Sequence, residues 1–198
     1  MGAGYKLAPM LVTGVELGGA VVHYEGAEAG GGIQYNAGLF SQWQASEYIQ
    51  IQASGGYMLY SPETGPFARL TSDYSACYFD LSLRHRLNEY LNYVLSAGRS
   101  INFSYWGTSV DSWFARWSGQ WKLIRKIDLG TFFDFEHGEQ LDFFDERYDW
   151  VGGGISAGRQ LTRKLTGSAG YSGHWRDSNV PSRHYTVHTL TLRFRYSF

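Results

Sequence analysis

The sequence has no run of about 20 consecutive apolar residues, which is the length that a membrane-spanning helix requires. A helical membrane protein is therefore excluded. Cysteine occurs once, at Cys77, so the chain can form neither an intramolecular disulfide nor a thiolate metal site, and we expect Cys77 to act as a small apolar side chain. Proline occurs only 4 times, and a chain with little proline has few residues that interrupt β-strands.

An excess of charge of one sign is also missing. The 17 basic and 18 acidic residues give a formal net charge of -1, and no basic stretch alternates with aromatic residues along a helix face. We therefore expect no nucleic-acid partner. The runs Gly30-Gly31-Gly32 and Gly152-Gly153-Gly154 lack the Lys-Ser/Thr of a phosphate-binding loop, so we expect them to permit strand bending or close strand approach.

Glycine and aromatic residues are abundant, with 25 Gly, 15 Tyr, 12 Phe and 7 Trp. The apolar residues alternate with polar ones at a period of two, which is typical of β-strands with two different faces. Three segments show this best, with these residues on the apolar side: Ile49, Ile51, Ala53, Tyr57 and Leu59; Trp113, Ala115, Trp117, Gly119 and Trp121; Ile127, Leu129, Thr131, Phe133 and Phe135.

A weak repeat divides the chain into hairpins. Short polar turns lie near positions 45, 88, 125 and 163, and their spacing of about 37 to 43 residues fits two strands, one short turn and one longer loop. The longer connections lie at 26–32, 61–66, 105–109, 138–146 and 177–183. This pattern predicts one domain over residues 1–198 with about ten strands, about eight or twelve being the alternatives, and with both termini on the short-turn side.

Large aromatic residues cluster at the ends of the predicted strands. Trp43, Tyr48, Tyr90 and Trp121 flank the short turns, and Tyr57, Tyr60, Trp113, Tyr148, Trp150 and Trp175 approach the longer loops. A soluble β-sandwich would also alternate, but two aromatic girdles are typical of a barrel in a bilayer. The sequence therefore predicts an all-β fold, a transmembrane antiparallel up-and-down β-barrel.

The last strand alternates Leu190, Leu192, Phe194, Tyr196 and Phe198 with polar residues. It resembles the C-terminal signature of bacterial outer-membrane proteins, in which Phe194, Tyr196 and Phe198 would be read by the barrel-assembly machinery. The segment Gln160–Leu165 with Tyr171 and 176–179 resembles β-barrel porins of Gram-negative bacteria. The resemblance implies an integral outer-membrane monomer in contact with lipid and lipopolysaccharide, with termini and short turns in the periplasm and longer loops outside.

Such a protein needs an export signal. Met1 is followed by Gly2-Ala3-Gly4, without the basic segment, apolar core and cleavage site of a leader. We therefore expect a mature or engineered chain whose leader has been removed, with the C-terminal part of a longer barrel as an alternative.

The polar side of the alternation carries charge of both signs. The residues predicted to point into the barrel are Glu16, Asp80, Arg84, Arg116, Asp128, Asp134, Glu136, Arg193 and Arg195. They could tune ion passage through a narrow passive pore for ions or small polar solutes, or form salt bridges that fill the barrel. A filled barrel would serve as a surface-loop binding or anchoring module.

Enzymatic function is a weaker hypothesis. His174, Ser178 and Asn179 resemble the His-x-Ser-Asn pattern of lipid A deacylases, but the interval from His to Ser is too long. Glu136-His137 with Asp142 or Asp145 could mimic the acid–histidine pairs of outer-membrane proteases. The acidic stretch 134–149 lacks the spacing of a calcium loop, so we interpret it as a solvated loop, with divalent-ion or lipopolysaccharide contacts as the alternative. We expect no catalytic residues, metal or cofactor.

Overall fold

The computed structural model describes residues 2–22, 32–62, 73–103, 109–123, 127–140 and 145–197. Eleven strands follow one another along the chain: β1 Gly2–Ala8, β2 Leu11–Val22, β3 Gly32–Gln44, β4 Ile49–Pro62, β5 Tyr74–Arg86, β6 Leu91–Phe103, β7 Ser109–Leu123, β8 Ile127–Gln140, β9 Arg147–Gln160, β10 Leu165–Ser178 and β11 Tyr185–Tyr196. One 3₁₀ turn, Pro181–Arg183, lies between β10 and β11. Within these ranges, no helix has the length and apolarity needed to cross a membrane.

All eleven strands form one antiparallel sheet in which each strand pairs with its neighbours in sequence. This up-and-down order confirms the predicted fold class. Over the described residues the sheet is open: β1 pairs with β2 and β11 pairs with β10, but β1 and β11 do not pair with each other.

The strand number exceeds ten because Pro9 and Met10 form a turn that separates a short strand, β1, from β2. The expectation that both termini lie on the short-turn side is wrong for the N-terminus. β1 runs toward the short-turn side, so Gly2 pairs with Glu16, in the middle of β2, rather than with a residue at the short-turn edge.

Three of the predicted short turns share one local structure. The side chains of Ser46, Asn88 and Thr162 each accept hydrogen bonds from the backbone amides two and three residues later, at 2.7 to 3.3 Å. Such bonds let a short polar residue replace part of the strand ladder and reverse the chain. The turn near position 125 lies outside the described residues.

The register separates the side chains into two faces. Directly opposed residues share a face in an antiparallel pair. One row runs Leu81, Ala97, Ala115 and Phe135, and the next runs Ser82, Ser96, Arg116 and Asp134. We call these the apolar face and the polar face.

The apolar face is the more exposed of the two, with Leu39 and Leu192 each 66% accessible. A soluble protein would bury such a face against a second layer.

Glycines on the polar face make room for aromatic rings from neighbouring strands. A Cβ atom added at Gly14 or Gly154 would overlap the ring of Phe40 or Phe132 on the adjacent strand, and one at Gly138 would overlap Tyr148. Because each ring occupies the space that a side chain would fill at the glycine, the strands can approach closely although large residues lie on the same face. This agrees with the role expected for Gly152 and Gly154, but Gly153 has only ordinary contacts; Gly30 and Gly31 lie outside the described residues.

Candidate functional site: the polar face

The register places all nine residues predicted to face the lumen on the polar face. Glu16 lies on β2, Asp80 and Arg84 on β5, Arg116 on β7, Asp128, Asp134 and Glu136 on β8, and Arg193 and Arg195 on β11. That this face encloses a lumen stays a prediction, since the sheet is open. The structure does show that one face collects these charges, which the long separation in sequence had left open.

A first cluster at mid-height joins β7, β8 and β9 through Glu136. Arg116 lies 3.7 Å from its carboxylate, and the Tyr148 hydroxyl donates a hydrogen bond to it at 2.8 Å. The guanidinium of Arg176 lies 3.7 Å from the centre of the Tyr148 ring. Charges of both signs are thus tied together beside an aromatic ring, which lowers the cost of removing them from water.

A second cluster surrounds Asp134. The indole nitrogen of Trp150 donates a hydrogen bond to this carboxylate at 3.0 Å, and the Nε2 atom of His174 lies 3.9 Å from it. His174 also packs against the rings of Trp150 and Phe132, with ring centres 5.3 and 6.0 Å apart. Gly152 provides the space, because a Cβ atom there would overlap both His174 and Asp134.

Nearer the N-terminal edge of the sheet, and on the same polar face, Glu16 on β2 accepts a hydrogen bond from the hydroxyl of Tyr78 on β5 at 2.8 Å. The bond passes over Gly38 and Gly56, which lie between them in register. A Cβ atom at Gly38 would overlap the hydroxyl of Tyr78. The two glycines therefore leave room for a hydrogen bond that crosses β3 and β4.

The short-turn end of the polar face is strongly basic. We call the following residues the basic rim: Lys6 on β1, Arg84 and Arg86 on β5, Lys122 on β7, and Arg193 and Arg195 on β11. Asp128 is the acidic residue among them in the described strands, and it lies directly opposite Lys122. The neighbours on the same face are mostly amides and hydroxyls.

Glu146 connects the two loops at the other end of β8 to β11. It is only 1% exposed, and its carboxylate accepts hydrogen bonds from Ser178 at 2.7 Å, from Arg176 at 3.0 Å and from Arg183. Asn179 completes the contact, because its side-chain oxygen accepts a bond from the Arg147 amide at 2.9 Å. The β8–β9 and β10–β11 connections are thereby held together.

The charge state of Glu146 follows from these contacts. Burial by itself raises the pKa of the Glu146 carboxyl, but the hydrogen bonds from Ser178, Arg176 and Arg183 outweigh that effect and hold the pKa below its ordinary value of 4.5. The carboxylate is therefore ionised at neutral pH.

The solvated-loop interpretation of residues 134–149 is wrong for the described part. Asp134 and Glu136 lie on the polar face of β8, and Glu139 and Asp149 lie on the opposite face in β8 and β9. Glu146 is buried. Asp142 lies outside the described residues. The strands extend further than the alternation indicated, and several of the acidic residues form ion pairs with residues on neighbouring strands.

The residues considered for catalysis are not brought together. His174 and Ser178 are four residues apart on β10, a rise of roughly 13 Å along an extended strand, and Ser178 donates its hydroxyl hydrogen to Glu146. Glu136 and His137 lie on opposite faces, and His137 pairs with Asp149 at 2.7 Å. Asp145 lies 3.9 Å from Arg147 instead. None of these arrangements joins a nucleophile to a base.

Four further basic residues lie on the polar face: Lys6, Arg86, Lys122 and Arg176. Arg86 and Lys122 have the period-two spacing from the predicted Arg84 and Arg116, so the alternation could have found them, whereas β1 and β10, which carry Lys6 and Arg176, have no predicted lumen-facing residue. The role of Glu146 had no such signal, because its partners lie 30 to 37 residues away, at the end of β10 and in the connection after it.

No protein-family model matches the sequence, and no curated protein does either. Solved structures do match. A loop-deletion mutant of OmpT, an outer membrane protein of Vibrio cholerae, is 13% identical, with a TM-score of 0.53 over 94% of this chain and 62% of that one. The copper transporter OprC is also 13% identical, with a TM-score of 0.69 over 98% of this chain and 40% of that one.

The chain thus has the fold of bacterial outer-membrane β-barrel proteins, and it spans 40% to 62% of the length of these two neighbours. At this identity the likeness shows the fold, and the outer-membrane location stays a prediction. Which side of the membrane holds the short turns stays a prediction. In the predicted assembly signal, Phe194 and Tyr196 lie on the apolar face of β11, 68% and 54% exposed, and Phe198 lies outside the described residues.

Proposed function

We propose that the polar face lines a narrow passive pathway for ions or small polar solutes, and that the apolar face contacts outer-membrane lipid. The observation that carries the proposal is the division of the sheet into two faces. Charged side chains from β2, β5, β7, β8 and β11 share one face, whereas Leu39, Leu81, Phe133 and Leu192 lie on the other, 49% to 66% exposed. In a bilayer, such a face meets hydrocarbon and the opposite one encloses water.

The test compares two adjacent residues of β6. Ser96 lies on the polar face and Ala97 on the apolar face. In a Cys77→Ser background, Ser96→Cys and Ala97→Cys each provide a single thiol. The purified chain is folded into planar bilayers, and a charged, membrane-impermeant thiosulfonate reagent is added while single-channel current is recorded.

We expect discrete conductance from all variants, with block by the reagent for Ser96→Cys and none for Ala97→Cys. Equal block of both thiols, or of neither, would contradict the assignment of the faces. Absence of conductance from folded protein would overturn the pathway and favour a filled barrel that anchors its surface loops. The contacts of Glu146, which fix two of those loops together, are the observation that supports this second candidate.

A further inference from the structure

The basic rim differs from the rest of the polar face in its charge balance. Its six residues are all basic, and Asp128 is the acidic residue beside them on the polar face of the described strands. At mid-height, the acidic residues Glu16, Asp80, Asp134 and Glu136 outnumber Arg116, the arginine at that height in the described strands. Positive charge is therefore concentrated at the short-turn end of the wall.

The two zones also differ in how their charges are engaged. At mid-height, Glu136 lies beside Arg116, Asp134 binds Trp150 and lies near His174, and Glu16 binds Tyr78. These contacts fix the acidic side chains in place, and Arg116 partly offsets the charge of Glu136. The basic rim has one carboxylate for six cationic side chains, so its field is set by the excess of positive charge.

The excess of positive charge lies at the ends of the strands. Arg84, Lys122, Arg193 and Arg195 all lie within four residues of the short-turn end of their strands. They come from β5, β7 and β11, so the charges are distributed along the sheet rather than gathered at one strand. When the sheet curves around a pathway, side chains so placed surround its opening. Rings of arginine and lysine favour anions over cations in membrane pores.

Resting on the proposed pathway, we propose that it is selective for small anions and that the basic rim determines this selectivity. The solute class is therefore small inorganic or organic anions. The selectivity arises from long-range electrostatic interactions. It weakens at high ionic strength, because the Debye length shrinks from about 10 Å at 0.1 M to about 3 Å at 1 M salt.

The experiment measures the reversal potential of the whole chain in planar bilayers under a gradient of KCl, first near 0.1 M and then near 1 M. Wild type should give a chloride-to-potassium permeability ratio above unity at low salt. The double variant Arg84→Gln with Arg193→Gln should lower that ratio by about two- to five-fold, where about five-fold is the effect of one unit charge about 4 Å away in the dielectric of bulk water. Arg84→Lys with Arg193→Lys should restore it.

Arg159→Gln is the matched control. Arg159 lies near the short-turn end of β9, opposite Ile127 in register and therefore on the apolar face, so its removal should leave the ratio unchanged. Strand content by circular dichroism confirms that each variant folds.

A conducting chain that prefers potassium, or one whose ratio responds equally to Arg159→Gln and the double variant, would overturn the anion pathway while leaving the pore intact. A folded chain without conductance would overturn both.

Discussion

At the scale of single residues, Glu146 has the largest number of charged contacts in the described loops. A carboxylate that is 1% exposed is tolerated because Arg176 and Arg183 compensate its charge and Ser178 satisfies a remaining lone pair. Removing Arg176 leaves the Glu146 carboxylate, whose side chain is 2% exposed, less well compensated. The cost is lower than the roughly 3–5 kcal/mol of fully buried ion pairs, because Arg183 is 44% exposed and still binds the carboxylate. One side chain therefore controls how two loops are held together.

The pairing of the two loops should depend on pH. The folded pKa of Glu146 lies below 4.5, so its contribution to stability is fully present above that value and is lost as the pH falls below it. The Arg147 amide donates to the side-chain oxygen of Asn179 at 2.9 Å, and the Asn179 amide donates to the carbonyl oxygen of Arg147 at 3.1 Å. Hydrogen exchange at these two amides should accelerate in acid relative to its intrinsic rate.

Two comparisons separate this effect from general acid unfolding. The amides of Lys164 and Leu165, held by Thr162 in a turn without carboxylate partners, should keep their protection. Glu146→Gln should remove the pH dependence and expose the Arg147 amide at neutral pH, whereas Glu139→Gln, at a half-exposed pair with Arg147, should change little. Unchanged protection in Glu146→Gln would show that other contacts hold the loops.

At the scale of elements, consecutive glycines of β9 have different surroundings. Gly154 lies on the polar face, where an added Cβ atom would overlap the Phe132 ring and lie 2.9 Å from the Tyr171 carbonyl oxygen. Gly153 lies on the apolar face, and its nearest neighbour would be the Phe132 carbonyl oxygen at 3.5 Å, an ordinary contact. Of these two positions, only 154 needs glycine for close strand approach.

Gly154→Ala should therefore destabilise the folded barrel by about 1–3 kcal/mol, the usual cost of overpacking a filled site. Gly153→Ala should be neutral or stabilising by about 0.5–1 kcal/mol, because alanine loses less conformational freedom on folding. Urea unfolding of both variants in lipid vesicles, followed by tryptophan fluorescence, measures the difference. Equal stability of the two variants would mean that Phe132 moves aside without cost.

At the scale of the whole molecule, the distribution of polarity is inverted relative to a soluble protein. The large apolar side chains of β5 to β8 are exposed on one face, and Asp80, Arg84, Arg116, Asp128 and Asp134 lie on the opposite face. The charged residues on the apolar face of these strands, Arg99, Asp111 and Glu139, lie toward the longer-loop ends. Water is a poor solvent for such a surface and hydrocarbon is a good one. This distribution of polarity is the one that a sheet in a bilayer requires.

Adjacent lysine substitutions in the middle of β5 test this orientation. Leu81 is 49% exposed on the apolar face between Ala53 and Ala97, and Ser82 lies on the polar face between Gln52 and Ser96. Leu81→Lys should cost about 2–4 kcal/mol in a bilayer, as expected for a charge near the midplane. Ser82→Lys should cost far less by urea unfolding in the same vesicles, and a reversed order would place the lipid on the other face.

The sequence by itself determined the strand class, the short turns near positions 45, 88 and 163, and the alternation of polar and apolar residues along the strands. These depend on local chemistry: alternation at a period of two, and Ser46, Asn88 and Thr162 bonding to amides two and three residues ahead. Even the prediction of ten strands erred by only the short β1, which a Pro9-Met10 turn creates.

Only the tertiary structure decided which charges meet. Glu16 reaches Tyr78 across 62 residues, and Glu146 reaches Arg183 across 37. Strand stagger and loop conformation set these pairings, and neither has a periodic trace in the sequence. The same holds for the basic rim, whose members come from strands far apart along the chain and share one end because hairpin register aligns them.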